Sequence, residues 1–369
     1  MIEIRPICVL AGALALVGCR PEPPQLATAE AEPQESAPPS TPAPTTTTQD
    51  AADPSAVPAA KLSAESIATD QAGPTAIALS ATDVFWIDEG NGDGVSGSIM
   101  KRSKSGGAVT ALTTAQPSPS ALVVDGATVF FTNIGELGSL TDPKPVGSVL
   151  AVPAAGGAVR TLATKQWSPR GLAVDAAFVY FGNPGVVEGK TTTVARVPKK
   201  GGAVKVMASG QRSPNGIATD ATRLFWAAGG SCVAENGTMP SDGEILFAPL
   251  AKGAPKALAS GLLCPESIAL DDTSVYFTGA PGDAIAAVDK AGGPLRTLAG
   301  DQKGVRHLAV DDKFVYFANQ ESGVVGRVAK QGGPVEELAK VTDPGGIAVD
   351  ASSVYLSDSK AGTVLRRAK

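Results

Sequence analysis

The sequence predicts an all-β ring of repeated four-stranded units, and three observations carry that prediction. An apolar anchor recurs seven times, at Ile77, Leu122, Leu172, Ile217, Ile268, Leu308 and Ile347. Eight residues after each stands an aromatic: Phe85, Phe130, Tyr180, Phe225, Tyr276, Tyr316 and Tyr355. The 369 residues include 42 glycines and 29 prolines, which suits many short strands joined by turns. Units of this kind bury their apolar faces only against one another. One all-β ring of about 250 to 300 residues fits the chain length as well as two domains do.

Residues 172–211 show the unit strand by strand. Leu172-Ala173-Val174-Asp175 is a short strand closed by a turn aspartate, and Phe178 to Phe181 is a second, rich in aromatic and β-branched residues. Val194 to Val197 is a third, and Gly201-Gly202 turns the chain into a fourth, Val204 to Ala208. Four antiparallel strands per unit make the blade of a β-propeller. Six units have all four strands, while the seventh, from Ile347, has three and stops at Lys369. The missing strand lies at the other end. Glu65-Ser66-Ile67-Ala68-Thr69 precedes Ile77 at the ten-residue spacing by which Leu162 precedes Leu172 and Met207 precedes Ile217. A strand there would complete the last blade and remove two exposed edges. The expected fold is therefore a seven-bladed β-propeller closed by its N-terminal strand, with six blades as the fallback.

The phrases Gly216-Ile217-Ala218-Thr219-Asp220, Val315-Tyr316-Phe317-Ala318-Asn319 and Val325-Gly326-Arg327-Val328 resemble the YWTD and NHL families of propeller repeats. The resemblance covers residues 65 to 369 and implies a fold, since propellers host binders, scaffolds and enzymes alike.

Before the ring, the chain reads as an address and a tether. Arg5 precedes an apolar run from Ile7 to Val17 that suits a signal segment and is too short to span a bilayer. It ends in Leu16-Val17-Gly18-Cys19, which resembles the lipobox of bacterial lipoproteins. The resemblance implies removal of residues 1–18 and lipid on Cys19, hence a membrane partner. Arg20 in place of aspartate implies sorting to the outer membrane, facing either the periplasm or the surface. Residues 19–60 combine Cys19 with a stretch rich in Pro, Ala and Thr that cannot offset ordering entropy and reads as a tether. Residues 61–369 form the propeller domain. The formal charge of −5 falls largely on the tether, with Glu22, Glu30, Glu32, Glu35, Asp50 and Asp53 against Arg20. The nearly neutral body gives no electrostatic case for nucleic acid.

Length variation within the repeat is concentrated between the second and third strands. Phe85 to Ile99 spans 14 residues, Phe130 to Val149 spans 19, Tyr180 to Val194 spans 14 and Phe225 to Ile245 spans 20, against nine in each of units five to seven. In a four-stranded meander these loops emerge on the face that also carries the connections to the next blade. The insertions thus form a lopsided crown over blades one to four. Loops on a rigid scaffold are where binding usually resides. Cys232 falls in the longest crown loop and Cys264 in the connection from blade four to five. In an oxidising envelope compartment, a disulfide between them is expected.

The residues two before each anchor, Thr75, Ser120, Arg170, Asn215, Glu266, Arg306 and Gly345, fall at the mouth of the central channel. Arg170 and Arg306 suit a polar or anionic ligand; hydrated channel residues with mutual salt links fit equally. His307, the only histidine, adjoins this ring and is a candidate acid/base group with Glu266. At the level of blades the chain also resembles the propeller of virginiamycin B lyase. Glu89, Asn91 and Asp93, after Asp88, place oxygens at alternating positions as calcium loops do, although Met100 stands where an EF-hand has its distal glutamate. Calcium is the one cofactor the sequence suggests, with a polar turn as the competing account. Trp167 lies in an inter-blade connection, near Arg170, outside the repeat's aromatic pattern, and is an interface anchor or a packed residue. Trp86 and Trp226 follow the second-strand pattern and belong to the core. Two functions follow as expectations: a non-catalytic platform for a protein, peptide or glycan using Trp167, Arg170, Asn215, Glu266, Arg306 and His307, or a lyase or hydrolase at the mouth using His307 and Glu266.

Overall fold

In the computed structural model, the described residues are 64–135, 144–185, 192–230, 232, 240–281, 283–302 and 304–369. Twenty-eight strands form seven four-stranded sheets, every pairing antiparallel. The protein is a seven-bladed β-propeller. The inner strands are Pro74–Leu79, Pro119–Asp125, Arg170–Val174, Pro214–Thr219, Ile268–Leu270, Val305–Val310 and Pro344–Val349. Six blades run in chain order. The seventh takes Glu65–Ala68 as its outer strand, paired with Thr363–Ala368, so the ring closes by the N-terminal strand as the spacing predicts.

No blade has a core of its own. The buried apolar residues fall into seven clusters, each shared by two adjacent blades. The repeat aromatics explain this. In a strand, neighbouring side chains point to opposite faces. Phe225 therefore packs towards blade five and Trp226 towards blade three. At the closing seam, Ile67 and Ala68 are joined by Val84, Trp86, Tyr355 and Val364. Arg102 donates to the carbonyl of Ile67 across the same seam, and Arg366 pairs with Glu65 at 2.6 Å within blade seven.

Electrostatic links join blades on the side away from the crown. The aspartate three residues after an anchor closes the turn to the second strand and also reaches the next blade. Asp271 shows the full set. Its Oδ1 accepts from the amides of Thr273 and Ser274 at 2.9 and 2.8 Å, and its Oδ2 accepts from the Tyr276 hydroxyl at 2.7 Å and from Lys330 at 2.8 Å. The repeat tyrosine is thus both core and clamp. Equivalent inter-blade pairs are Asp125 with Lys199, Asp220 with Lys290, Asp311 with Lys369 and Asp350 with Lys104. Blades two and four carry Ala154 and Leu250 at the lysine position. There, Lys101 and Arg196 of the preceding blades instead donate to the carbonyls of Ala154 and Leu250, both at 2.9 Å.

Two outcomes test this account. Ile67→Ala should destabilise the folded body by roughly 2 to 4 kcal/mol, because the closing strand has no other large apolar side chain; chemical denaturation measures it. The second concerns acid. Burial raises the pKa of Asp220, but its hydrogen bonds outweigh that and hold it down at about 2; Asp271, Asp311 and Asp350 are likewise held well below the usual carboxylate range. Since the folded pKa values lie below the unfolded ones, this stability is present above about pH 4 and is lost as pH falls towards 2, on the order of 2 kcal/mol for Asp220. Denaturation curves between pH 5 and 2 should show this loss, and Lys330→Met should shrink it.

Candidate functional site

The mouth of the channel is shaped by a backbone irregularity. In six blades the inner strand slips register just before the anchor, as between Pro74 and Ile77 or Val305 and His307. Such a bulge re-aims side chains that regular pairing would fix. A left-handed residue precedes the inner strand in six blades, Gly73, Ser118, Ser168, Ser213, Cys264 and Gly304, with φ between 47° and 75°, and in all of these except blade five the slip follows it. A residue before proline rarely adopts this conformation, and holding four non-glycine residues there costs strain that the surroundings must offset. Part of the offset is visible. The bulge amides of Ala121, Ser267 and Gly346 donate to Thr132, Thr278 and Ser357 hydroxyls at 3.1, 3.2 and 2.7 Å.

The position immediately before the anchor faces the next blade at close range. A Cβ on Gly171 would overlap the Asn215 carbonyl, and one on Gly216 would lie 2.7 Å from the Glu266 carbonyl. Ser267 uses the same position to accept from the Leu308 amide at 3.2 Å. His307 occupies it in blade six, beside the seam with blade seven, where Gly345 and Gly346 carry no side chains. Burial, then the neighbouring Arg306, pull its pKa down to about 4. The imidazole is consequently neutral at neutral pH.

Residues one position earlier reach the mouth. Glu266 and Arg306 approach at 3.9 Å, and Arg170 interacts electrostatically with Glu266, Arg306 and Glu89. Burial, then Arg306, depress the pKa of Arg170, while Glu266 and Glu89 act against them. Glu89 is raised by burial and by Asp343 and lowered by Arg170. Both Arg170 and Glu89 nevertheless keep solvent access. Groups that are crowded by protein yet wet line a concavity. Asn215 holds the same inner-strand position in blade four, and its Nδ2 lies at the base of the crown loop, 3.6 Å from where a Gly229 Cβ would stand. Two clefts elsewhere are removed from this mouth: one on the closing seam beside Glu65, Arg102 and Arg366, the other outside blade two beside Val152, Pro153 and Arg160.

Of the proposed calcium-loop residues, Asp88, Glu89 and Asp93 are not gathered. The buried Asp88 carboxylate accepts from the Trp86 indole at 3.1 Å, Glu89 turns to the mouth, and Asp93 caps its own loop through the amides of Val95 and Ser96 at 2.9 and 2.8 Å. Among the described residues, no three His, Cys, Asp or Glu side chains lie within reach of one metal ion. Cys232 and Cys264 are joined, with Cα atoms 5.1 Å apart, so the longest crown loop is stapled to the rim next to Glu266. Cys19, the leader and the tether lie outside the described residues, as do the crown-loop segments 136–143, 186–191 and 233–239.

A motif unrecognised in the sequence ties the crown together. Gln-x-Ser/Gly-Pro precedes the inner strand at 71–74, 116–119, 166–169 and 211–214, the four blades that carry crown loops. Each glutamine, at or just past the outer strand of one blade, accepts through Oε1 from the second strand of the next: from Trp86 at 3.2 Å, Asn133 at 3.0 Å, Asn183 at 3.1 Å and Trp226 at 3.0 Å. The carbonyl of residue x receives the amide of a left-handed glycine at the loop base: Gly90, Gly135, Gly185 and Gly230. A Cβ on Gly90, Gly135 or Gly230 would collide with Ser96, Val146 or Asp242, the residue before the third strand. The crown loops of blades one, two and four thus rise from narrow stems, and blade three shares the stem hydrogen bond. Trp167 is the x residue of blade three, half-buried on the crown surface, where blade four has an exposed Arg212 paired with Asp242.

No protein-family model and no curated protein matches the chain. Solved structures similar to it are propellers. A streptogramin B lyase has a TM-score of 0.64 at 14% identity over 83% of this chain and 96% of its own. A catalytically inactive histidine-to-alanine virginiamycin B lyase from Staphylococcus aureus with quinupristin gives 0.61, 15%, 84% and 99%. A chain of a nidogen/laminin complex gives 0.50, 17%, 67% and 88%. At these identities the likeness shows the fold alone.

Because His307 is the single histidine, its proton resonance needs no assignment. In untagged protein the imidazole C–H shift should stay flat from pH 8 to 5.5 and titrate near pH 4. A midpoint above 6 would contradict the crowding described for this seam.

Proposed function

We propose that the protein is a lipid-anchored component of a bacterial cell envelope whose propeller is a non-catalytic binding platform for a protein, peptide or glycan. The surface used is the crown of blades one to four together with the channel mouth. One observation carries this reading: four blades repeat the same stem hydrogen bonds, yet the segments above the stems differ in sequence and span 14 to 20 residues from second to third strand. Fixed bases under variable tips are the arrangement of a recognition surface. Trp167 stands on this surface, and Arg170 and Arg306 stand at its centre. The Cys19 lipid and the tether supply the address.

The rival, a lyase or hydrolase using His307 and Glu266, draws on the fold likeness to the two lyases. Two features oppose it. An imidazole held down at about 4 is a weak base at neutral pH. The charged groups of the mouth, Glu89, Arg170 and Arg306, all stay open to solvent, whereas catalytic groups converge on an enclosed pocket.

Capture from envelope extract tests the platform. The full-length wild type should retain partners that Trp167→Ala/Arg306→Ala loses, while Lys200→Ala/Lys252→Ala on the opposite face retains them. Retention by the crown-face variant would remove support for this face. In the same cells Cys19→Ala should move the protein from the membrane to the soluble fraction.

A further inference from the structure

We infer that the channel mouth is a receptor for a small zwitterion, with an ammonium and a carboxylate taken at opposite sides; this rests on the platform reading and names its central ligand class. The argument starts from charges that do not neutralise one another. Around the ring the order is Glu89 in blade one, Arg170 in blade three, Glu266 in blade five, Arg306 in blade six and Asp343 at the start of blade seven. Glu266 and Arg306 approach each other, though only at 3.9 Å. Among the described residues, no carboxylate lies within ion-pairing distance of Arg170, and no cation lies so close to Glu89 or Asp343.

Long, accessible side chains that merely needed neutralising would pair across so narrow a mouth. Here they are held apart. Glu89 and Asp343 stand next to each other on the blade seven to blade one side, and their mutual repulsion acts on Glu89 more strongly than Arg170 does. Asp343 is also positioned from behind, accepting from Gln320 at 3.3 Å and taking the Ser359 amide on its own carbonyl at 2.9 Å. Among the described residues neither carboxylate is ion-paired. Across the ring, in blade three, the planar Arg170 guanidinium makes no hydrogen bond to the described residues, a donor set suited to a carboxylate. An ammonium bonded to Glu89 and Asp343, and a carboxylate bonded to Arg170, would satisfy these groups in a single ligand. A simple anion would leave the two carboxylates repelling, and a simple cation would leave Arg170 unmatched. Free amino acids and short peptides share the required chemistry.

The probe is trialanine with free termini, titrated calorimetrically into the full-length protein beside N-acetyl-trialanine, trialanine amide and free alanine. Trialanine or alanine should bind, the stronger of the two identifying peptide or amino acid as the natural class. Blocking either terminus should weaken binding about tenfold or more, the loss expected for one charge-assisted hydrogen-bonded contact. Arg170→Ala should erase the penalty for the amide while keeping that for acetylation, and Glu89→Gln should do the reverse. Matching thermal melts show that each variant is folded. Equal affinity across the series, or no binding of trialanine and alanine at 10 mM, where ~10 mM marks the weak limit of specific recognition, overturns the zwitterion site. In that outcome, continued loss of envelope partners by Trp167→Ala/Arg306→Ala would keep the platform reading standing alone.

Discussion

Everything in this molecule depends on the contact between one blade and the next. A four-stranded sheet with apolar side chains on both faces cannot be stable in water alone, and here each buried cluster belongs to two blades. The ring is therefore a cooperative object that must close. Closure is assigned to a strand of four residues, Glu65–Ala68, at the junction with the N-terminal segment. Its small apolar contribution, Ile67 and Ala68, is supplemented by Arg102 reaching the Ile67 carbonyl from blade one. The seam thus relies on polar stitching more than its neighbours do.

The same stitching separates the two faces by function. On the far face, aspartate, tyrosine and lysine are consumed in holding blades together, and five of the seven seams use an aspartate–lysine pair. Charges committed to such links have no free valence for a ligand. On the crown face most links are neutral, glutamine to indole or amide, hydroxyl to backbone, glycine to carbonyl, and the charged ones, Asp88, Asp358 and the Arg212–Asp242 pair, are other than the charged side chains of the mouth. That division is the physical reason to look for binding on one face only.

Much of this was legible in the sequence, because anchor spacing is a direct image of blade geometry. The fixed eight-residue step from Ile77 to Phe85 or Ile347 to Tyr355 marks two adjacent antiparallel strands, and the ten-residue step from Ile67 to Ile77 revealed the closing strand. The Cys232–Cys264 bond followed from placing two loops on one face. What stayed hidden was orientation within irregular backbone. Glu89 read as the first oxygen of a cation loop, whereas the stem built on Gly90 turns it to the mouth; no spacing rule encodes that rotation. The aspartate–lysine pairs were missed for a different reason. Asp125 and Lys199 lie 74 residues apart, and the pairing becomes visible only once blade n is known to contact blade n+1. The Gln-x-Ser/Gly-Pro signal was present, but its purpose, gripping the strand from which a crown loop departs, is a three-dimensional one.

The bulge before six of the seven anchors bears on how a repetitive fold acquires a specific site. Most positions of a blade are dictated by the neighbouring blade: the anchor, the paired aromatics and the residue facing the next inner strand all meet packed atoms. The residue two before the anchor varies most around the ring: Thr75, Ser120, Arg170, Asn215, Glu266 and Arg306 stand there, while in blade seven a Cβ on Gly345 would crowd Ser357, Ser359 and the Pro74 carbonyl of blade one. A ring whose sole purpose was structural would gain nothing from carrying unpaired charge there, since crowding penalises Arg170 and Glu89 alike. A ligand of the proposed class, bringing the opposite charges with it, would offset that desolvation cost.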